Sequence, residues 1–268
     1  MSFERIWLAG CGNMAGAMLE GWLRAGSGPD RFLAIRPSGA EVAKGVRVVS
    51  APPEGESAPD LLLLGFKPYQ LREAAPAYAA HAGPGTTVVS ILAGVEIASL
   101  RAAFPRAGAI VRAMPNLPVR LGRGVTGLVA EGGARPDGLT ALMESLGIAL
   151  WVEDEAALDA VSALAGSGPA FVYRLIDALA AGGEAIGLAP EKAARLALAT
   201  VEGAGVLAAA SAHGPGDLAD RVASKGGSTR RGLDVLDEGE ALRTLVRRTL
   251  EATRARVAEM AAEARGVV

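Results

Sequence analysis

The stretch RIWLAGCGNMAGAM, residues 5–18, carries the strongest indication of fold in this chain. A short apolar run leads into a glycine turn, and apolar residues at helical spacing follow at once, so the stretch predicts a strand, a tight turn and a helix. The turn contains the pattern G-x-G-x-x-A, whose small residues allow a pyrophosphate to approach the backbone and the helix to pack closely on the strand. The N–H groups at the start of the helix would face the phosphates. The predicted cofactor-binding residues of this turn are Gly10, Gly12, Asn13, Met14 and Ala15.

The alternation of strand and helix continues over the first 150 or so residues. Short apolar runs bounded by turn residues recur, and the run LLLL at residues 61–64 is apolar on both faces. Such strands are typical of a parallel sheet that is covered on both sides. The alternation predicts a doubly wound α/β domain. The further strand candidates are residues 31–35, 46–49, 60–66, 86–92 and 108–114.

From about residue 153 the composition changes. Long segments rich in Ala, Leu, Glu and Arg appear at 169–186, 190–210 and 241–264, and no strand pattern accompanies them. We predict a Rossmann-type, doubly wound α/β domain over residues 1–153 and an all-helical domain over residues 154–268. The helical segments are apolar over wide arcs, which favours dimerisation through this domain, although a dense monomeric bundle would show the same pattern.

The end of the second predicted strand distinguishes between nicotinamide cofactors. An NAD site places Asp or Glu there for the ribose 2′-hydroxyl, whereas a nearby arginine accommodates a 2′-phosphate. In RFLAIRPSGAE, residues 31–41, the strand is followed by Arg36 and Ser38, and the first carboxylate is Glu41. A guanidinium can pair with a phosphate through its planar fork, and the serine hydroxyl can add a hydrogen bond. The pattern favours NADP over NAD.

The overall composition excludes several classes of function. The chain has 27 Lys and Arg against 29 Asp and Glu, so no surface for nucleic acid is indicated. Cys11 is the single cysteine, which excludes an internal disulfide and a Cys-rich metal site; we interpret it as a small turn residue rather than a nucleophile. The two histidines, His81 and His213, have no carboxylate beside them in sequence that would indicate a relay. No metal-ligand spacing occurs, so we expect no metal site.

The sequence does not indicate a membrane or secreted protein. The first residues, MSFERIWLAGCGNM, contain an early Glu4 and glycines where a signal peptide would keep its apolar run. The longest charge-free stretch, residues 74–95, is interrupted by two prolines and several polar residues, so it does not resemble a membrane span. We expect a cytoplasmic protein.

Six motifs, in order and nearly end to end, resemble the pyrroline-5-carboxylate reductase family. The last two are far more specific than the glycine turn. The motifs are GCGNMAGAM at 10–18, GFKPYQL at 65–71, SILAGV at 90–95, RAMPNLPVRLGRGVTGL at 112–128, ALAGSGPAFVYRLIDALAAGGEAIGL at 163–188 and ASKGGSTRRGL at 223–233.

This resemblance implies an activity and a substrate loop. The family reduces the cyclic imine 1-pyrroline-5-carboxylate to L-proline with NAD(P)H, in the last step of proline biosynthesis. The loop at 224–229 would receive the substrate carboxylate on backbone N–H groups that its two glycines leave bare, at the start of a helix near Ser228. Thr229 resembles the family threonine whose hydroxyl can bind the ring nitrogen, and it is the predicted catalytic residue. The predicted substrate-binding residues are Ser224, Gly226, Gly227, Ser228 and Thr229.

The resemblance also implies further cofactor contacts and one departure. The departure is Lys225, where the family often has proline; it would leave the substrate loop freer and add a positive charge. The implied cofactor-binding residues are Lys67, Pro68, Ala93, Gly94 and Asn116.

Two other hypotheses about the function remain open. A reductase of another small substrate, such as a β-hydroxyacid or a deazaflavin, could share the first motif; the hydroxyacid enzymes usually place a catalytic lysine in the helical domain, and the contexts of Lys192 and Lys225 do not resemble that motif. A non-catalytic NADP-binding sensor is the second, and the intact substrate loop with Thr229 argues against it.

As partners we expect the small imine substrate and a second copy of the chain, as a homodimer or a higher assembly built from dimers.

Overall fold

In the computed structural model, which describes residues 3–265, eight strands form one sheet in the order β3-β2-β1-β4-β5-β6-β7-β8. All neighbouring strands are parallel except β6 and β7, which are antiparallel. The strands are β1 (Ile6–Ala9), β2 (Phe32–Ile35), β3 (Arg47–Val49), β4 (Leu61–Leu64), β5 (Thr87–Ser90), β6 (Ala109–Pro115), β7 (Gly124–Ala130) and β8 (Gly147–Trp151).

Within residues 3–265, ten α-helices accompany the sheet. They are α1 (Asn13–Arg24), α2 (Leu71–Ala79), α3 (Ile97–Ala103), α4 (Leu139–Glu144), α5 (Glu155–Val161), α6 (Gly168–Ala185), α7 (Pro190–Ala210), α8 (Pro215–Val222), α9 (Ser228–Asp237) and α10 (Ala241–Arg265). The predicted α/β class with a C-terminal helical region is confirmed.

The sheet is covered on both faces, as the LLLL run predicts. Leu61 and Leu63 belong to a core that contains Trp22 of α1, whereas Leu62 and Leu64 belong to a second core on the other face. Successive side chains of a strand point to opposite faces, so a strand buried on both sides must be apolar throughout. The two cores hold the carboxyl ends of β1, β2, β4 and β5 at one edge.

Two strands, β7 and β8, are absent from the sequence-based prediction. Gly124 and Gly127 interrupt the apolar pattern of β7, and glycine weakens a strand signal. A Cβ at residue 127 would lie 2.8 Å from Val161 Cγ1, so the missing side chain lets α5 pack on the strand. Strand β8 alternates between half-buried and exposed residues, which gives a weak signal.

The chain divides into two compact units. The first, here called the sheet unit, ends at Pro169 and takes up α10 again from Thr253; the second, the helical unit, is Ala170–Ala252. The described elements of the helical unit are all helices. The domain boundary expected between residues 153 and 154 stays a prediction.

The helical unit buries little apolar surface of its own. Among its described residues, the buried apolar side chains are all alanine, at positions 180, 193, 197 and 223. Large apolar side chains such as Ile186 and Leu207 are exposed, at 84% and 63%. Within the part of the chain that the structure describes, α7 is the one helix long and apolar enough to cross a membrane. The stretch 74–95, considered above for that role, forms the end of α2 and β5 instead.

Candidate functional site

A cleft of about 810 Å³ lies at the carboxyl ends of β1, β2, β4 and β5. This is the edge at which doubly wound sheets bind their ligands. The volume is within the roughly 300–1,000 Å³ that is usual for small-molecule and cofactor sites. Nine of the residues predicted from sequence to bind the cofactor line it: Gly10, Gly12, Asn13, Met14, Arg36, Ser38, Lys67, Pro68 and Ala93.

The glycine turn leaves room for a phosphate. Helix α1 begins at Asn13, and the Gly16 N–H donates to the Gly12 carbonyl at 2.8 Å to close its first turn. A Cβ at residue 12 would meet no atom within 4 Å. No neighbouring atom of the protein therefore requires glycine at residue 12. The open space that its missing side chain leaves lies beside the N–H groups of a helix N-terminus. These features fit the pyrophosphate of a dinucleotide.

Ala15 serves the packing of the turn and does not line the cleft. Its side chain is buried, and a Cβ at Gly65 would lie 2.8 Å from the Ala15 Cβ. The close approach of α1 to the segment after β4 explains why the third position of the pattern is small. A direct contact of Ala15 with the cofactor stays a prediction.

The β2 end of the cleft is positively charged. Arg36 follows β2 directly, and its N–H donates to the Val49 carbonyl at 2.9 Å, which fixes the backbone there. Ser38 and Lys67 also line the cleft. Among the described residues that line it there is no carboxylate. An anion such as a 2′-phosphate would find the Arg36 guanidinium and the Ser38 hydroxyl at this end, with no carboxylate among the described lining residues.

The thiol of Cys11 lies in this cleft in its neutral form. The residue is 7% exposed, and burial raises the pKa of the thiol to about 11, although the positive charge of Arg36 opposes the rise. A thiol needs its thiolate form to act as a nucleophile. The buried position supports the interpretation of Cys11 as a small turn residue.

The segment that carries Ala93 and Gly94 is anchored by an ion pair between a buried arginine and a half-buried glutamate. The Arg112 guanidinium, on β6, is buried and binds Glu155 Oε1 at 2.6 Å. The same carboxylate oxygen accepts the N–H of Ile97 at 3.0 Å, at the start of α3. One carboxylate thus joins α5, β6 and the segment after β5. Gly94 is not among the residues that line the cleft, and its cofactor contact stays a prediction.

Asn116 is engaged within the protein. Its Nδ2 donates to the Ala165 carbonyl at 2.9 Å, and its Oδ1 accepts the Val125 N–H at 2.9 Å. The amide therefore ties the end of β6 to β7 and to the turn before α6. It does not line the cleft, and its predicted contact with the cofactor is untested.

Several residues that line the cleft were not expected from the sequence. Gln70 Oε1 accepts the N–H of Lys67 at 2.9 Å and so fixes the turn after β4. Tyr78 stacks on Phe66 with ring centroids 6.2 Å apart, and burial raises the pKa of its hydroxyl. Residues 70, 74 and 78 are spaced by four, and this helical spacing behind the Lys-Pro pair was the available signal. The lining residues not expected from sequence include Phe66, Gln70, Ala74, Tyr78, Ile91 and Met260.

The predicted substrate loop connects α8 and α9 in the helical unit. Gly226 has φ +75, a backbone conformation that favours glycine. The Gly227 N–H donates to the Ser224 carbonyl at 3.0 Å, and a Cβ there would lie 2.6 Å from Ser224 Oγ. The turn therefore favours glycine most strongly at residue 226, whereas a side chain at residue 227 would have to displace the Ser224 hydroxyl. The expectation of a bare Gly227 N–H is wrong, because this group is engaged in the turn. Helix α9 begins at Ser228, as predicted.

The first turn of α9 supplies the other backbone donors of this loop. The N–H groups of a first helical turn lack partners within the helix, so Ser228 and Thr229 can offer theirs to an anion. The side chains of Lys225 and Thr229 are exposed. Arg230 binds Asp220 Oδ1 at 2.6 Å and so joins α9 to α8 at the base of the loop. Substrate binding by Ser224, Gly226, Gly227, Ser228 and Thr229 stays a prediction.

Two family models match the chain. Residues 155–260 match the model described as pyrroline-5-carboxylate reductase dimerisation. Residues 5–94 match the model described as NADP oxidoreductase, coenzyme F420-dependent. The first match spans the helical unit and the second spans the strands that form the cleft.

Relatives match over almost the whole chain. A pyrroline-5-carboxylate reductase of Pseudomonas aeruginosa is 35% identical over 97% of this chain and 98% of its own length. Pyrroline-5-carboxylate reductase 2 of Bacillus subtilis is 32% identical over 96% of this chain and 95% of its own length. Among solved structures, a pyrroline-5-carboxylate reductase from Coxiella burnetii superposes with a TM-score of 0.87 at 28% identity, covering 97% of this chain and 99% of the other. The Plasmodium falciparum enzyme with NADP bound has the same fold, with a TM-score of 0.83 at 24% identity over 97% of this chain and 99% of its own.

Proposed function

This chain belongs to the pyrroline-5-carboxylate reductase family, and from that membership we propose that it reduces 1-pyrroline-5-carboxylate to L-proline with NADPH in preference to NADH. Family members are NAD(P)H-dependent oxidoreductases of proline biosynthesis, and the near-complete coverage of the relatives extends this activity to the chain. The observation that supports the finer proposal is the β2 end of the cleft, where Arg36 and Ser38 occur without a carboxylate.

Different residues of the cleft bind different parts of the dinucleotide. A bound nicotinamide cofactor supplies a hydride. Arg36 and Ser38 bind the 2′-phosphate, since a planar guanidinium makes two parallel N–H bonds to phosphate. The N–H groups at the start of α1, beside Gly12, bind the pyrophosphate. Lys67 adds a second cation to the same cleft.

The substrate loop binds and orients the imine. The reduction adds a hydride to the ring carbon of the C=N bond and a proton to the ring nitrogen, so a protonated imine needs mainly position and orientation. The N–H groups of Ser228 and Thr229 receive the carboxylate at the N-terminus of α9. The Thr229 hydroxyl binds the ring nitrogen. Lys225, exposed on the same loop, adds a positive charge that attracts the anionic substrate.

The proposed assembly is a homodimer formed through the helical unit. Large apolar side chains are exposed on α6, α7 and α10, and residues 155–260 match a dimerisation model. A surface of this kind is stable in water when a second copy covers it. Helix α7 lies within this matched region, which supports an interface helix rather than a membrane span.

A buried, unpaired cysteine supports a reducing compartment, and we place the enzyme in the cytoplasm.

A deazaflavin as the partner of NADP is the second candidate. The description of the model that matches residues 5–94 favours it. That match covers the nucleotide-binding strands, which many reductases share. The region 155–260 and the relatives at 30–35% identity favour the imine.

The test is turnover by the purified full-length chain. Oxidation of NADPH is followed by absorbance with 1-pyrroline-5-carboxylate and repeated with NADH, and the product is identified as proline by mass spectrometry. We expect rapid turnover with a larger kcat/KM for NADPH. Absence of turnover in protein that binds NADPH would overturn the activity; a larger kcat/KM for NADH would overturn the cofactor preference alone.

A further inference from the structure

The C-terminal part of α10 packs on the sheet unit through one face. From Thr253 onward the helix belongs to that unit. Thr253, Val257 and Met260 are half-buried and Ala261 is buried, whereas Ala258 is exposed. The spacing of four, three and one residues places the covered positions on one face of the helix.

The position of α10 against the sheet unit depends on Gly94. This residue has φ +75, and a Cβ there would lie 3.1 Å from the Ala261 nitrogen and from the Met260 carbonyl carbon and oxygen. The backbone of α10 thus approaches the backbone that follows β5 directly. A side chain at residue 94 would both strain the turn and push the helix away.

A positive charge on the same helix acts on a carboxylate of α5. Burial raises the pKa of Asp159 on α5, and the positive charges of Arg112 and Arg254 oppose that rise. Arg254 lies on α10, six residues before Met260. The direct approach of the helix to the sheet unit is therefore the one at Gly94, and the charge of Arg254 is consistent with it.

Met260 lines the cofactor cleft, together with Ile91 and Ala93 that follow β5. The strand order β2-β1-β4-β5 separates these residues from Arg36, at the end of β2, by two strands. The phosphate site at the start of α1 lies between, since α1 follows β1. A dinucleotide with its 2′-phosphate at Arg36 and its pyrophosphate at α1 therefore extends its nicotinamide toward Met260.

We infer that the end of α10 forms one wall of the cofactor site, with the Met260 side chain in contact with the nicotinamide half of the dinucleotide. This inference rests on the proposed function, because it uses the placement of the 2′-phosphate at Arg36. A thioether is flexible and polarisable, and it packs well against a flat ring. The nicotinamide half is common to NADPH and NADH, so Met260 contributes equally to the affinity for both, in contrast to Arg36.

The test measures the dissociation constants of NADPH and NADH for the full chain by fluorescence titration. We expect Met260→Ala to raise both constants by roughly five- to tenfold, since the lost contacts are individually small. Met260→Glu should raise both further, because it places a charge in an apolar part of the cleft. Met260→Leu, which keeps the volume, should restore both to within about twofold.

The matched control is Ala258→Glu, which places the same charge on the exposed face of the same turn and should leave both constants unchanged. Thermal unfolding and sedimentation of each variant show whether its fold and assembly are intact. Unchanged affinities in a folded Met260→Glu variant would overturn the inference, as would an equal loss in Ala258→Glu. If the unaltered chain binds neither cofactor, the proposed function is wrong. If it binds NADPH and the substitutions at Met260 leave the dissociation constants unchanged, only this inference is wrong.

Discussion

The sheet unit and the helical unit bury different side chains. In the sheet unit, Trp22, Phe32 and Phe104 are fully buried, and two apolar cores cover both faces of the sheet. In the described helical unit, alanines are buried while Leu196 and Leu207 are exposed. Apolar burial is the main favourable term in folding, so the first unit contains its own source of stability and the second lacks one. The difference supports the proposed homodimer, in which a second copy would cover the exposed apolar side chains of the helical unit.

The largest expected effect follows from charging this uncovered surface. Leu196 and Leu207 lie 11 residues apart on α7, which places them on one face. Replacing both by Glu would bury unpaired charges at the proposed interface, and we expect the dimer to weaken by at least about 100-fold. Sedimentation at several concentrations measures this, and turnover should fall with the dimer.

The control for that variant lies in the sheet unit. Leu121 is exposed there to a similar extent, at 59%. Leu121→Glu should leave the assembly and turnover unchanged, because an exposed leucine outside an interface contributes little. A dimer that persists in the double α7 variant would show that another face of the helical unit is the interface.

The strands in the centre of the sheet could be predicted from the sequence better than the strand pairings that depend on distant residues. Fully apolar runs such as LLLL at 61–64 have one physical explanation, burial on both faces, and the structure confirms it. Strands β7 and β8 were missed because their signals are local and weak: glycine interrupts one, and the other is an edge strand with exposed Ile148. Their pairing depends on neighbours distant in sequence.

The same distinction holds for the candidate site. Gly12 and Arg36 were predictable because a strand end and a helix start fix their place relative to a dinucleotide. Met260 was not predictable, because it reaches the cleft only where α10 packs against Gly94, a residue distant from it in sequence. The pairing of Arg112 with Glu155 is likewise a contact between elements distant in sequence. Short-range patterns do not encode such contacts.

The second-largest expected effect distinguishes the role of the substrate loop in turnover from the role of the sheet unit in cofactor binding. Thr229→Ala removes the hydroxyl proposed to bind the ring nitrogen, and we expect kcat to fall by about 100-fold, in the range of a lost catalytic proton-transfer or hydrogen-bonding group. The dissociation constant of NADPH should change by less than about twofold, since the cofactor cleft lies within the sheet unit. Steady-state kinetics and fluorescence titration measure the two quantities.

Thr229→Ser is the matched variant, because it keeps the hydroxyl and loses a methyl group. It should retain most of the turnover. If Thr229→Ala weakened NADPH binding as much as it lowered kcat, the assigned role of the hydroxyl would be wrong.

The third effect is confined to the sheet unit. Arg36→Ala should raise the dissociation constant of NADPH by roughly tenfold or more, since a charge-assisted hydrogen bond contributes about 1.5–3 kcal/mol. The constant of NADH, which has no 2′-phosphate, should change by less than about twofold. Arg36→Lys should give an intermediate loss, because an ammonium keeps the charge without the planar fork. An unchanged ratio of the two constants would show that the 2′-phosphate binds elsewhere.

The smallest effect concerns Cys11 and the stability of the sheet unit at high pH. Burial raises the pKa of its thiol from 9.0 to about 11, so the folded chain holds this proton more tightly than the unfolded chain does. Well below pH 9 both states are protonated and the thiol adds no pH dependence. Between pH 9 and 11 the unfolded chain loses the proton first, so the free energy of unfolding falls as the pH rises. Urea unfolding of the unaltered chain should show this decline, and Cys11→Ala should lack that part of it; equal slopes in the two proteins would mean that the thiol is not buried as the structure shows.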